Sequence, residues 1–369
     1  MPARIVLLGA TGHTGGRTAA ALAARGARPV LAGRDPARLA ALADRLGGAA
    51  GPLETAAADV TDQGSVRALL GAGDVLVTTV GPFQRLGEAA VAAAADAGAV
   101  YLDSTGEPPF LRRVFEEFGP RAQASGAVLL TAFGHDYVPG VLAGALALAE
   151  AGDRAYRLDV GYGLDGGGGG QGFSRGTLVS LIGVLLEPGH AWRGGRLVEE
   201  PAGVRDWRFD VAGRTRRGLS VGGSEHLTLP DLSPSLREVG VYLAWFGPAT
   251  PVAHRLAPLG PWLGRVPGAT ARVEQFADLV GRRVADAPTT EGEARTHVVA
   301  EVRDRSGERV ARVRLRGGDP YGMTADLLAW GAVRAADGGV RGAGALGPVQ
   351  AFGLDELTAG AAAAGLRPA

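Results

Sequence analysis

The stretch Ile5-Val-Leu-Leu-Gly9-Ala-Thr-Gly12-His-Thr-Gly15-Gly16 decides the fold. Four apolar residues in succession describe a short buried strand, because a strand covered on both faces shows no alternation. Glycines at three-residue spacing follow, and then a helix from about Thr14 to Arg25, stopped by Gly26. Glycines let a backbone turn tightly and approach a pyrophosphate, while the helix start supplies N–H groups and a positive dipole end. The spacing is G-x-x-G-x-x-G rather than G-x-G-x-x-G. Its weight comes from context: strand before, helix after, at the head of a βα series. Gly9, Thr11, Gly12, His13, Thr14 and Gly15 are the candidate pyrophosphate-binding residues.

Strand and helix keep alternating beyond this turn. Strands are predicted at 29–32, 56–58, 74–79, 100–102 and 128–131, with helices at 36–46, 62–70, 87–97 and 109–125. Asp35 reads as the N-cap of the second helix, with Pro36 at its first position. Repeated βα units of this length imply an α/β fold, a Rossmann-type doubly wound parallel sheet. After residue 150 the pattern changes. Segments 157–162, 206–211, 236–245, 297–303 and 310–316 read as antiparallel strands, the last two flanking a Ser306-Gly307 turn. Helices are expected at 174–186, 251–263, 269–279 and 324–335. The predicted organisation is a Rossmann-type domain over 1–150 that carries the candidate pyrophosphate site, an inserted α+β substrate domain over 151–318, and a return over 319–369 that packs on the first domain.

Composition narrows the chemistry. The chain has 369 residues, with 38 basic against 38 acidic residues and 46% hydrophobic residues. This suits a globular protein and gives no sign of a nucleic-acid binder or a polybasic membrane anchor. Cysteine and lysine are both absent. Disulfides, a thiol nucleophile, a Schiff-base lysine, a P-loop and a Tyr-x-x-x-Lys pair are therefore excluded. Six scattered histidines show no H-E-x-x-H pair, so no metal site is expected. No G-x-S-x-G elbow occurs. The N-terminal apolar run is too short for a signal peptide, and no stretch is long enough to span a bilayer; a cytoplasmic protein is expected. Homo-oligomerisation stays open.

The second strand ends Gly33-Arg34-Asp35. An acidic residue at this tip would take a ribose 2′-OH, whereas Arg34 suits the 2′-phosphate of NADP, Asp35 being spent on its cap. Asp59 and Val60, after the third strand, would lie by the adenine. Gly81, Pro82 and Phe83 follow the fourth strand, and Gly106 the fifth, at the carboxyl edge where ligands of open α/β sheets bind. After the sixth strand come His135, Asp136 and Tyr137. They are candidates for proton delivery, and Asp136 reads equally well as a helix cap with surface neighbours. Ser174, Arg175 and Thr177 open a helix after a glycine run and could hold an anionic or carbonyl group of a substrate.

Gly9–Gly16, Val80-Gly-Pro-Phe83, Tyr101-Leu-Asp-Ser-Thr-Gly-Glu107 and Asp136-Tyr-Val-Pro139, in this order, resemble the saccharopine dehydrogenase-like reductases, above all the branch of trans-acting enoyl reductases. Phe173–Ser180 and the Asp319-Pro-Tyr321-Gly-Met-Thr324 run extend the likeness. Where the family commonly has Gly-Phe-Asp-Ser, His135 and Tyr137 flank the aspartate here. The resemblance implies NADPH-dependent hydride transfer to an activated double bond of a small-molecule, acyl or polyketide substrate. Conjugated C=C is favoured. Reduction of a C=N bond, with Arg175 on a carboxylate, is the alternative, and a non-catalytic NADPH-binding scaffold is a third reading.

Overall fold

A computed structural model describes residues 3–166, 189–245, 247, 250–259 and 294–369. The chain forms two compact units. The first comprises 1–105, 110–138 and 321–365, and the second 106–109, 139–320 and 366–369. The division therefore falls at Val138 rather than near residue 150, and the helix Val138–Ala151 groups with the second unit.

Strands β1 (Ile5–Leu8), β2 (Val30–Gly33), β3 (Thr55–Ala57), β4 (Val75–Thr78), β5 (Val100–Asp103), β6 (Val128–Leu130) and β15 (Gly344–Ala345) make one sheet. Its order is β15-β6-β5-β4-β1-β2-β3, and every pairing is parallel. The order reverses beside β1, which creates a crevice at the carboxyl ends of β1 and β4. β1 and β4 are buried at every position, as the apolar runs Ile5–Leu8 and Val75–Val77 require, and β4 closes on a buried Thr78. The helix Glu88–Ala97 is almost all alanine and buries seven of its ten residues. It stops at Gly98, whose φ of 67° is left-handed.

The predicted helix 109–125 is three pieces: Pro108–Arg113, a π-turn Val114–Phe118, and Gly119–Ser125. Pro120 has no N–H to give Glu116, and the ladder widens so that Gly119 N–H reaches Val114. The return helix Pro320–Ala336 packs Trp330 against Phe133, and Gly331 admits the Phe133 ring where a Cβ would approach it to 2.6 Å. The return also adds the edge strand β15, which was not predicted.

In the second unit, β7 (Arg157–Asp165), β8 (His190–Arg193), β9 (Arg196–Glu199), β10 (Asp206–Val211), β11 (Arg214–Ser220), β12 (Glu238–Leu243), β13 (Arg295–Arg303), β14 (Arg309–Gly317) and β16 (Arg367–Pro368) form a mixed sheet. Its order is β10-β11-β12-β7-β13-β14-β16, with the β8–β9 hairpin beside β12. β12 was expected to be antiparallel but runs parallel to β7. The two are joined by a long connection, so no hairpin turn sets their direction. The chain end also departs from expectation: β16 pairs with β14, so residues from Leu366 on return to the second unit. Within the described residues the helix expected at 251–263 is Thr250–Leu256 followed by one 3₁₀ turn, Ala257–Leu259, and 260–263 lie outside them. The helices predicted at 174–186 and 269–279 lie outside the described residues.

Candidate functional site

The three motif glycines have different work. Gly9 ends β1 with φ of 85°, and a Cβ there would lie 2.6 Å from the Val80 side chain. Gly15 seats the helix His13–Ala24 on the turn, since its Cβ would lie 2.1 Å from the Gly9 carbonyl oxygen. Gly12 is exposed, and its Cβ would meet only that oxygen, at 3.3 Å. Packing explains Gly9 and Gly15. For Gly12 the open space above it is the relevant feature. Gly12 is also the N-cap and offers no side-chain bond, with no acidic residue in the first turn. Asp35 and Asp62 cap the next two helices with their carboxylates. The first helix alone of these three keeps a bare positive end, flanked by Thr11, His13 and Thr14, which fits an anionic pyrophosphate.

At the tip of β2, Arg34 is exposed and Asp35 accepts the N–H groups of Ala37 and Arg38, both at 3.1 Å. Asp59 accepts the Thr61 N–H and hydroxyl at 2.9 and 2.8 Å. These two bonds, aided by the Arg34 charge, hold its carboxyl below the usual range. Val60 is 6% exposed and belongs to the hydrophobic core. Arg38, which the sequence did not single out, donates to the Thr11 carbonyl at 2.9 Å, placing a second guanidinium beside the glycine turn. Its position one turn into the second helix, facing the first, is the signal that could have found it.

Past β4, the Thr79 hydroxyl is buried and has no partner among the described residues. Gly81 and Pro82 are exposed, whereas Phe83 is buried against Phe110. Asp103 is fully buried at the end of β5. It accepts the N–H groups of Thr105 and Ala132 at 2.9 and 2.7 Å and the Thr131 hydroxyl at 2.8 Å. Burial outweighs these bonds and pushes its carboxyl up to about 6. Gly106 falls in the short segment that groups with the second unit.

His135 and Tyr137 are 4% and 5% exposed, while the Asp136 side chain is 43% exposed, 3.7 Å from His135 Nδ1. The His135 N–H donates to Thr324 Oγ1 at 3.0 Å. Tyr137 has φ of 85°, a conformation rare for a side-chain-bearing residue. Ser174, Arg175 and Thr177 lie outside the described residues.

The second unit holds a polar cluster that the sequence did not reveal. The Tyr162 hydroxyl accepts the Gly140 N–H at 2.9 Å and donates to Glu225 Oε1 at 2.6 Å. His190 and His226 pack edge to face at 5.5 Å, and burial, aided by the charges of His190 and Arg193, holds His226 well below the usual imidazole range. Among the described residues no three His, Asp or Glu side chains group as metal ligands would, and no helix is long and apolar enough to cross a membrane.

The strand order and the bare glycine turn define a Rossmann-type fold whose first unit fits a dinucleotide. No family model matches the chain. A Mycobacterium tuberculosis protein whose name assigns it provisionally to the trans-acting enoyl reductases is 40% identical over 188 residues, 49% of this chain and 44% of that protein. The trans-acting enoyl reductase of Mycobacterium ulcerans is 41% identical over 140 residues, 37% of this chain and 34% of its own. The chain thus spans less than half the length of the curated relatives it matches. Apo saccharopine dehydrogenase (L-Glu forming) from Saccharomyces cerevisiae shares the fold with a TM-score of 0.62 at 15% identity, over 100% of this chain and 99% of that one. Sequence relatives and fold neighbour both come from the group that the motifs resemble.

Proposed function

We propose that the chain is an NADPH-dependent reductase of a conjugated C=C bond in a small-molecule or acyl substrate. The observation that carries the cofactor is Gly12: an exposed glycine capping a helix with no side chain, above which a pyrophosphate fits. Arg34 at the β2 tip, with Asp35 committed to its cap, favours the 2′-phosphate. NADPH would supply the hydride. The glycine turn would hold the pyrophosphate, Arg34 the 2′-phosphate, and Gly81 and Pro82 would border the nicotinamide half. His135 and Tyr137, after β6, would deliver a proton or hydrogen bond to the charge that develops on the substrate. The names of the relatives favour C=C over C=N as the bond reduced. The second unit would carry the substrate-facing surface, with Ser174, Arg175 and Thr177 on its carbonyl or anionic group, in a cytoplasmic protein. The test is loss of NADPH absorbance on adding an α,β-unsaturated thioester, alongside an imine made from an amino acid and a keto acid. Oxidation with the thioester supports the reading, and oxidation with the imine alone overturns the choice of bond. Tight NADPH binding with neither substrate reduced would mark a scaffold.

A further inference from the structure

The run Asp319–Thr324 has no role in the reading above, yet it touches the loops that follow β1 and β6. The Tyr321 ring meets the His13 ring edge to face, with centroids 5.3 Å apart. Thr324 Oγ1 accepts the His135 N–H at 3.0 Å, and a Cβ on Gly134 would lie 2.8 Å from Thr324 Cγ2. Residues at i and i+3 share one helical face, so a single face holds both contacts.

His13 follows β1, and His135 follows β6, with β4 and β5 between these strands. Three strand spacings separate them, roughly 14 Å. A turn whose two side chains reach those loops links the β1 side of the sheet to the β6 side, and Thr79, Gly81 and Thr105 follow the two strands between. A dinucleotide whose pyrophosphate rests on the first turn of the His13 helix extends across the tips of those two strands. Tyr321 is half-buried and packs on an exposed imidazole rather than in the core.

We infer that this turn roofs the nicotinamide half of the cofactor site, with Tyr321 contacting the bound dinucleotide beside His13 and Thr324 setting the His135 loop. The inference rests on NADPH binding as read above. Wild-type protein, Tyr321→Ala, Tyr321→Phe and Gly12→Val are titrated with NADPH by fluorescence, and backbone hydrogen exchange of 319–325 is followed with and without NADPH. Tyr321→Ala should weaken NADPH roughly tenfold, and Tyr321→Phe, which keeps the ring, should weaken it less. NADPH should slow exchange in 319–325 of the wild-type protein, a readout that does not depend on how the variants fold. If NADPH protects the glycine turn but leaves 319–325 unchanged, or Tyr321→Ala binds normally while Gly12→Val does not, the roof is wrong and the cofactor reading survives. If the wild-type protein binds no NADPH, both fall.

Discussion

Asp103 Oδ1 accepts the N–H of Ala132 at 2.7 Å, so a buried carboxyl at the end of β5 ties down the loop that leaves β6. The same oxygen accepts the Thr105 N–H, and Oδ2 takes the Thr131 hydroxyl. Its carboxyl sits at about 6, against 3.8 ordinarily, because burial disfavours the charge more than these bonds favour it. Between those values the folded state holds a proton that the unfolded state has released. Its stabilising effect is full below the lower value and is lost as pH rises through the upper one. Asp103→Asn keeps the acceptor oxygen and removes the titration. Plotted as wild type minus variant, denaturant stability should therefore fall between about pH 4 and pH 6. A flat difference plot would show that Asp103 does not titrate as argued.

Gly15 and Gly12 should fail in different ways. Gly15→Ala forces a methyl to 2.1 Å from the Gly9 carbonyl oxygen and 2.9 Å from the Thr79 hydroxyl, and the nearer of these, being backbone, cannot rotate away. The helix must lift from the turn, and stability should drop by about 1–3 kcal/mol. A Cβ at Gly12 meets only one atom, at 3.3 Å, so Gly12→Val should melt near wild type while NADPH binding collapses. Normal NADPH binding by a folded Gly12→Val protein would make the turn purely structural.

Arg34 and Arg38 separate preference from affinity. Arg34→Ala should reduce the NADPH-over-NADH preference by roughly tenfold or more, since a charge-assisted pair to phosphate is worth about 1.5–3 kcal/mol. Arg38 is held by the Thr11 carbonyl beside the turn. Arg38→Ala should weaken both dinucleotides. Equal affinity of the wild-type protein for the two cofactors would remove the assignment of Arg34.

The Tyr162 hydroxyl serves two buried groups, the Gly140 N–H and the Glu225 carboxyl. Tyr162→Phe removes that hydroxyl and should cost about 1–3 kcal/mol of stability. Gly140→Ala should be worse, because its Cβ would lie 2.1 Å from the hydroxyl and 2.3 Å from Glu225. Chemical denaturation of the two variants measures both, and an unchanged midpoint for Tyr162→Phe would mean that the cluster relaxes around its loss.

The first unit was readable because its rules are local. Parallel strands such as Ile5–Leu8 are continuous apolar runs, and Asp35 and Asp62 announce their helices. In the second unit the strands β7, β10, β12, β13 and β14 were legible as well, whereas β8, β9, β11 and β16 were not. β11 begins Arg-Thr-Arg-Arg, a run that looks like a solvated loop until its pairing with β10 is seen. The β8–β9 hairpin was marked by Gly194-Gly195, both with positive φ, and could have been found. The Tyr162–Glu225 pair joins residues 63 apart, and Arg38–Thr11 spans 27. No periodicity encodes such contacts; the fold alone brings them together. The glycine turn was thus legible as a candidate, and its contacts with Arg38 and Tyr321 were not.

The proton donor gives the sharpest test, because without lysine or cysteine few groups can serve. His135 and Tyr137 follow β6 and are nearly buried, so an added proton would be held away from bulk water. Tyr137 also carries a backbone cost, its φ of 85° being strained for any L side chain. Hydroxyl and backbone can be separated by substitution. Tyr137→Gly removes the strain along with the side chain, whereas Tyr137→Phe removes only the hydroxyl. His135→Ala removes the imidazole and keeps the backbone N–H that Thr324 holds. All three should bind NADPH nearly as the wild type does. If one of the two side chains is the general acid, turnover of the unsaturated thioester should fall roughly 10²–10⁴-fold in the variant that lacks it. With Tyr137 in that role, Tyr137→Phe and Tyr137→Gly lose rate alike although only the glycine variant relieves the backbone. Full turnover in a His135→Ala/Tyr137→Phe double variant would exclude both, moving attention to Asp136 and to Ser174, Arg175, Thr177 or a water as the source of stabilisation.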